Sequence, residues 1–465
     1  MIDLLLAVRN LLRNRRRSFS TFFALAIGTA SILLFGGFRA NIQYSMHIAY
    51  VRDGGHLQIQ HRDFFLYGNG NPTAYGIADY QPIIDAIERH EVLGNMVLVA
   101  TPTLQFGGIA SNHATDVSRT VVGMGTVAAD LNRMRMWNEY GLPHTSPYFV
   151  LDGAPADAAI VGTGLARVLQ LCEPLRVANC PKPLDQRPTG GEELPADVAA
   201  LAAQDQPAAQ ASSPSVHPTI ELLATSAGGA PNVVSLQVVR AERQGFKELD
   251  EILVMLQLAQ AQRLVYGRTA PKATSIMVQL QRTDQLADAR KHLEAVLVSV
   301  APRQPLAILD FRELNPFFVQ TIQMFDAIFG FIFALIGVIV LFTVGNTMST
   351  AVVERTVEIG TIRALGLRRG GVQRLFVLEG ALLGVAGALS GAAFAILASF
   401  AVNRMGLTWL PPGSGDRLPL LLVVWGETAM ILGTTVGLIL IAVASAWWPA
   451  HRASRLSIVD ALRHA

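Results

Sequence analysis

Four stretches of the chain lose their charged positions altogether, and they mark out its architecture. Residues 18–38, between Arg17 and Arg39, carry no charge, and 21 residues of helix at 1.5 Å per residue reach across a bilayer core of about 30 Å. The same holds for residues 327–353, between Asp326 and Glu354, for 380–403, and for 428–449, which closes on Trp447 and Trp448 where interfacial aromatics belong. The pattern predicts a membrane protein with four transmembrane α-helices. The first stretch exceeds the apolar region of about 7–15 residues in a cleaved leader, and no clean small-x-small site follows it, so it is read as a retained span.

Between the first two spans the period changes. Ile276–Leu280 alternates as a strand, and Asp284–Val300 sets Leu286, Ala289, Leu293, Val296 and Leu297 on one helix face. Leu306–Leu309 reads as a further strand, which predicts a closing β-α-β unit. A helix is expected from Leu249 to Tyr266. Residues 172–230 are expected to be a flexible insertion, because Glu192–Pro218 is rich in Ala, Gln, Pro and Ser and cannot bury much of a core. Residues 39–326 as a whole read as a large mixed α/β domain. Ahead of the first span, in residues 1–17, Ile2–Leu12 is amphipathic, with Arg9 and Arg13 spaced to share a face. It reads either as a helix lying along the inner leaflet or as the cytoplasmic end of the first span.

Charge decides the orientation. Arg9, Arg13, Arg15, Arg16 and Arg17, then Arg355, Arg363, Arg368, Arg369 and Arg374, then Arg452, Arg455 and Arg463 fall on one side, whereas residues 404–427 hold two arginines and two acids. By the positive-inside rule both termini, the loop 354–379 and the tail 450–465 are cytoplasmic, and 39–326 is extracytoplasmic. The chain is thus expected in a bacterial inner membrane. Mean hydropathy of +0.37 with 15% charged residues agrees with a chain partly in lipid. A net charge of +2, with no basic block interleaved with aromatics away from the membrane flanks, argues against nucleic acid. The two cysteines, Cys172 and Cys180, fit neither a CxxC nor a four-ligand zinc pattern, which favours a small disulfide over two free thiols.

Catalytic chemistry is missing from the pattern. No GxxxxGK loop occurs and no lysine follows a glycine, so the chain carries no phosphate cradle. HExxH, GxSxG and clustered His/Cys sets are absent, and the ten histidines are scattered, with His56 and His61 expected on a solvated surface. The four spans hold no acidic residue, which disfavours ion-coupled transport. No catalytic, cofactor-binding or metal residue is assigned.

One dense feature remains, ERTVEIGTIRALGLRRGGVQRL at Glu354–Leu375. Val357, Ile359, Ile362 and Leu365 are its apolar positions, Glu354, Glu358 and Arg363 are charged, and Gly366 offers a C-terminal stop to a short helix. Such a helix can lie on lipid or dock into a soluble protein. The acids gain nothing from an anionic leaflet and favour a protein groove. In the third span Gly380, Gly384, Gly387 and Gly391 recur at three- and four-residue spacing on one face, which predicts close approach to another helix. The polar cluster Gly345, Asn346, Thr347, Ser349 and Thr350 reads as a helix end approaching water or as an interface between two copies.

At Glu354–Leu375 the sequence resembles the FtsX-like permeases of ABC transporters, whose short cytoplasmic loop reads like R..EIG.LRALG; here Arg355, Glu358, Ile359, Gly360, Ile362, Arg363, Ala364, Leu365 and Gly366 carry it. AVRNLLRNRRRS (Ala7–Ser18), VGTGLARVLQL (Val161–Leu171) and PAHRASRLSIVDALR (Pro449–Arg463) are similar to the family's N-terminal helix, outer-domain helix and C-terminal tail. GFKELDEILVMLQLAQAQRL (Gly245–Leu264) is similar to the MacB and lipoprotein-releasing (LolC/LolE-like) branch, while Cys172–Gly229 departs from the pattern. The resemblance implies a dimer with a second permease copy or a paralogue, bound to two ABC ATPase subunits that hold ATP and magnesium, with no cofactor on this chain. It implies mechanotransmission, in which the ATPase moves the outer domains to export or extract a lipid, lipoprotein or amphiphile, in company with a periplasmic adaptor or lipoprotein carrier. Glu354, Arg355, Glu358, Ile359, Ile362, Arg363, Leu365 and Gly366 would then couple to the ATPase. The competing expectation within the family is a non-transporting transmitter that activates a cell-wall hydrolase; the size of the outer domain favours transport.

Overall fold

The computed structural model describes residues 2–13, 15–68, 70–143, 147–180, 217–245, 247–409 and 418–456. The longer helices are α1 (Ile2–Arg13), α2 (Arg15–Gly54), α3 (Tyr80–Arg89), α4 (Ala128–Arg135), α5 (Leu258–Tyr266), α6 (Leu286–Val300), α7 (Pro316–Glu354), α8 (Thr356–Ala364), α9 (Arg369–Arg404) and α10 (Thr428–Arg455). They and the strands fall into two compact units, one helical and one mixed.

The helical unit contains α1 and the four helices α2, α7, α9 and α10, of 40, 39, 36 and 28 residues, each long and apolar enough to cross a membrane. Every one of them encloses an uncharged stretch of the sequence. Leu25, Ile32, Val340, Val344, Phe376, Leu383, Leu438 and Ala442 meet in its core, while Phe331, Phe342, Phe394 and Leu440 are exposed, as side chains facing lipid would be. At the end of α10 the Arg452 guanidinium lies 4.8 Å above the Trp448 ring. The small residues of the third span divide between two neighbours. A Cβ on Gly384 would lie 3.0 Å from the Ala442 Cβ of α10, and Gly380 faces Ala446 on the same helix. Gly387 and Gly391 instead meet α2, where a Cβ on Gly387 would lie 2.5 Å from the Leu25 Cβ. All four are buried.

The mixed unit is built on nine strands in the order β3-β7-β4-β6-β5-β2-β8-β1-β9, with β3 also paired to β2. The strands are β1 (Leu57–His61), β2 (Val97–Asn112), β3 (Val117–Thr126), β4 (Ala158–Gly162), β5 (Thr219–Thr225), β6 (Pro231–Glu242), β7 (Leu253–Gln257), β8 (Ser275–Leu280) and β9 (Leu306–Asp310). The extra pairing closes β2, β3, β7, β4, β6 and β5 into a ring, and the 16-residue β2 then leaves it to pair with β8 through Val97–Thr103. Leu104, Phe106, Val161, Leu222, Leu236 and Val254 fill the ring's core with α5 packed on it. A second core, with Ile59, Ile83, Ile87, Val278 and Leu293, lies under α3 and α6.

Three expectations change here. β8, α6 and β9 form the anticipated β-α-β unit, but β1 pairs antiparallel with both strands and so lies between them. The helix expected from Leu249 to Tyr266 is a turn at Lys247–Asp250, then β7, then α5. Leu253–Leu256 is a continuous apolar run buried on both faces, and such a run has no period to separate helix from strand. Within the segment expected to be an insertion, β5 is an integral ring strand with Ile220, Leu222 and Ala224 turned inward; residues 181–216 lie outside the described ones. Cys172 and Cys180 are joined, with Cα atoms 6.2 Å apart.

His56 is fully buried rather than solvated. Its Nδ1 accepts the Leu280 N–H at 3.0 Å, its Nε2 lies 3.2 Å from the Thr283 hydroxyl, and its ring stands edge-on to Trp137 at 4.9 Å. Burial, reinforced by neighbouring His47, pushes its pKa down to about 3. His61 is held elsewhere, by the Asp63 N–H and against Tyr75. Among the described residues no group of three or more His, Cys, Asp or Glu is placed to hold a metal.

Candidate functional site

The connection between the second and third spans is a helix of its own. α7 ends at Glu354, Arg355 leaves helical geometry (φ −107°, ψ 18°), and α8 runs nine residues from Thr356 before Gly366 turns the chain at φ +105°. A residue with positive φ is where glycine is favoured, so the helix stops where the sequence places one.

The residues expected to couple sort into an inner and an outer set. Ile359 and Gly360 are buried, and Ile359 joins the core of the helical unit with Val352, Val372 and Phe376. Ile362 is 42% exposed and Leu365 84% exposed, with Val357 beside them on the open side. Arg363 donates to the Leu456 carbonyl oxygen. The two acids are not free for a partner. Arg13 Nη2 donates to both Glu358 carboxylate oxygens, at 2.7 and 2.8 Å, and Glu354 accepts a bidentate pair from Arg17 at 2.6 and 2.8 Å. Arg13 and Arg17 thus neutralise both acids, and the exposed side chains of this segment include the apolar Val357, Ile362 and Leu365.

Arg355 belongs to neither set. It is buried, and its Nη1 donates to Glu379 Oε1 at 2.9 Å while Nη2 donates to the Asn10 carbonyl oxygen at 3.1 Å. Asn10 Nδ2 donates to the same Glu379 oxygen at 2.7 Å. Glu379 was expected just outside a span. α9 begins at Arg369, however, so Glu379 lies inside the helix, next to the uncharged stretch, and is 2% exposed. Its signal in the sequence is its isolation, for it is the only acid between Glu358 and Asp416. Asn10, Arg13 and Arg17 carry no comparable signal.

In the helical unit an open groove of about 630 Å³ is lined by Arg17, Ser20, Phe342, Asn346, Thr347 and Thr350 among others. The Thr347 hydroxyl lies 2.7 Å from that of Thr21, so part of the polar cluster in the second span is satisfied within the unit.

Four spanning helices, a separate short helix between the second and third, and a large mixed α/β unit define the class: a polytopic membrane protein built around a mixed domain. Residues 327–458 match the FtsX-like permease C-terminal family, and the chain has homologues in the LolC and MacB proteins. It is 27% identical over 251 residues to the lipoprotein-releasing system transmembrane protein LolC of Neisseria meningitidis serogroup B, covering 52% of this chain and 58% of that protein. It is 30% identical over 195 residues to the macrolide export ATP-binding/permease protein MacB of Rhodopirellula baltica, covering 41% of this chain and 26% of that protein. The chain therefore spans less than two thirds of the length of these relatives. The periplasmic region of MacB from Actinobacillus actinomycetemcomitans aligns in structure at 12% identity and a TM-score of 0.32, covering 59% of this chain and 95% of that one.

Proposed function

We propose that this chain is the permease subunit of an ATP-driven ABC transporter in the bacterial inner membrane, with both termini cytoplasmic and the mixed domain periplasmic. It transmits ATPase motion to the mixed domain, which exports or extracts a lipid, lipoprotein or amphiphile. The observation that carries this reading is α8: a short helix between two spans, inside the region that matches the FtsX-like family, whose Ile362 and Leu365 stay open while its acids are already paired. An apolar face on a helix exposed to the cytoplasm is a docking surface, and burial of each such side chain contributes roughly 1.5–3 kcal/mol. ATP and magnesium belong to the docked ATPase, present in two copies across a dimer of this chain with itself or a paralogue. A periplasmic adaptor or lipoprotein carrier completes the route. The names of the relatives, lipoprotein-releasing and macrolide export, support amphiphilic cargo.

The test is co-purification with the ATPase. Ile362→Asp and Leu365→Asp each place a carboxylate in the proposed contact, and ATPase binding is expected to weaken at least tenfold while the permease still inserts. If both variants retain the ATPase and its activity, α8 is a lipid-surface helix and the docking assignment is wrong.

A further inference from the structure

Three helices meet on one carboxylate oxygen. Glu379 Oε1 of α9 accepts from Arg355, at the break between α7 and α8, and from Asn10 of α1; Arg355 in turn donates to the Asn10 carbonyl oxygen. Each of the three residues is bonded to the other two, and both charged members are almost wholly buried, at 7% and 2% side-chain exposure. Outside this triangle the exposed pairs Arg13–Glu358 and Arg17–Glu354 tie the same segment to α1 and α2.

We propose that Arg355, Glu379 and Asn10 form the joint through which movement of α8 is passed to α1 and the third span, an inference that rests on α8 being the ATPase-docking helix. Three arguments support it. A buried ion pair is a weak source of stability compared with well-packed apolar side chains of similar volume, and its best-attested use is to fix register between elements. Apolar contacts such as those of Ile359 let helices slide by fractions of a turn, whereas charge-assisted hydrogen bonds fix distance and direction together. The location matters as well: Arg355 is the residue that leaves helical geometry between α7 and α8, so a push on α8 bends the chain there. With the joint intact that push displaces α1 and α9 together. With the joint broken, α8 pivots alone. Arg355 and Glu379 are thus positioning residues, acting through the helices they join.

The experiment uses the full-length chain in lipid nanodiscs with its ATPase subunit, comparing wild type, Glu379→Gln, Asn10→Ala, Arg355→Lys, and the exchange Arg355→Glu with Glu379→Arg. ATPase affinity, permease-stimulated hydrolysis and thermal unfolding are measured for each. Glu379→Gln is expected to bind the ATPase within threefold of wild type but to lose at least tenfold in stimulated hydrolysis. Asn10→Ala, which keeps the ion pair, should lose two- to fivefold, Arg355→Lys should retain at least a third of the wild-type rate, and the exchange should reach the same level. A second readout is the distance between spin labels at Leu12 and Leu365, narrow in wild type and at least doubled in width in Glu379→Gln. Wild-type hydrolysis in Glu379→Gln overturns the proposal, as does an equally narrow label distance. So does a loss of hydrolysis that only follows lost folded protein, with Arg355→Lys and the exchange as inactive as Glu379→Gln. A wild-type chain that binds no ATPase defeats the docking reading instead, a result separate from uncoupling with binding intact.

Discussion

Each unit of the molecule buries a carboxylate, and the two are held in opposite ways. In the mixed unit Asp250 accepts three backbone N–H groups, from Thr163 at 2.8 Å, Gly164 at 2.7 Å and Gln244 at 3.0 Å. Two of these are among the unsatisfied donors at the start of the helix Thr163–Val168, where negative charge is favoured by the aligned peptide dipoles. In the helical unit Glu379 is held by the side chains of Arg355 and Asn10. A carboxylate fed by backbone is fixed as long as the fold is fixed, since no single substitution removes its donors. A carboxylate fed by side chains on other helices can lose a donor to one substitution and can move with whichever helix moves. The first is a device of stability and the second one of registry.

Removing the backbone-fed acid should have the largest effect. Asp250→Ala leaves three N–H groups without their acceptor, at about 1–3 kcal/mol for each donor that water cannot reach, and the mixed unit is expected to lose about 4 kcal/mol of unfolding free energy. Asp250→Asn, which keeps one acceptor oxygen, should lose less than half as much. Denaturant unfolding followed by a probe in the mixed unit measures both, and an Asp250→Ala protein of wild-type stability would erase the contrast.

His56 sharpens the same point, because its Nδ1 is also held by a backbone N–H. Protonating that nitrogen sets a new N–H against an existing one, in a site already closed to water. The pKa in the fold, about 3, lies below the unfolded value near 6.5. The unfolded chain therefore binds more protons between these values, and stability rises with pH across that window. The contribution is complete above about pH 6.5 and is lost as pH falls towards 3. A pH series of thermal unfolding should show a shallower acid slope in His56→Asn, whose amide oxygen can accept the Leu280 N–H. Identical slopes would mean that His56 does not govern acid sensitivity.

In the helical unit the small residues of the third span add close backbone approach to the polar contacts. At Gly387 a new Cβ would meet Leu25 at 2.5 Å, whereas at Gly370 on the same helix nothing lies within 4 Å. Gly387→Ala is expected to cost about 2 kcal/mol by overpacking, and Gly370→Ala to be neutral or slightly stabilising through helix propensity. Equal melting of the two variants in detergent would mean that the third span is not tightly packed against the first.

Much of this was legible in the sequence, and the failures have physical causes. The spans announced themselves because 21 or more uncharged residues have few soluble uses, and α8 was visible because a charged helical pattern ended at Gly366. The glycine spacing read as one face, but a helix face can be shared by two neighbours, and only the packing assigns Gly380 and Gly384 to α10 and Gly387 and Gly391 to α2. β7 was misread because a doubly buried strand has lost its alternation. The burial of Glu379 was not legible, because a charge at the edge of an uncharged stretch reads as solvated and its partner lies 24 positions away. The outer and inner sets of α8 could not be separated at all, since Ile359 and Ile362 differ only in what packs on them.

The smallest expected effect isolates burial itself. Arg13–Glu358 is also an arginine–carboxylate pair, with Nη2 at 2.7 and 2.8 Å from the two carboxylate oxygens, but about half of each side chain is open to water. The hydrogen bond and charge of Glu358 raise the Arg13 pKa, yet exposed pairs are screened and gain about 0.5 kcal/mol or less. Arg13→Gln should therefore shift melting by under 2 °C, and raising salt from 0.05 to 0.5 M should remove even that difference, since the Debye length falls from about 14 to about 4 Å. Breaking the buried pair with Glu379→Gln should give a defect that salt leaves unchanged, because no ions reach it. If instead Arg13→Gln were as damaging as Glu379→Gln, and both were relieved by salt, long-range charge rather than a buried joint would hold α8 in place.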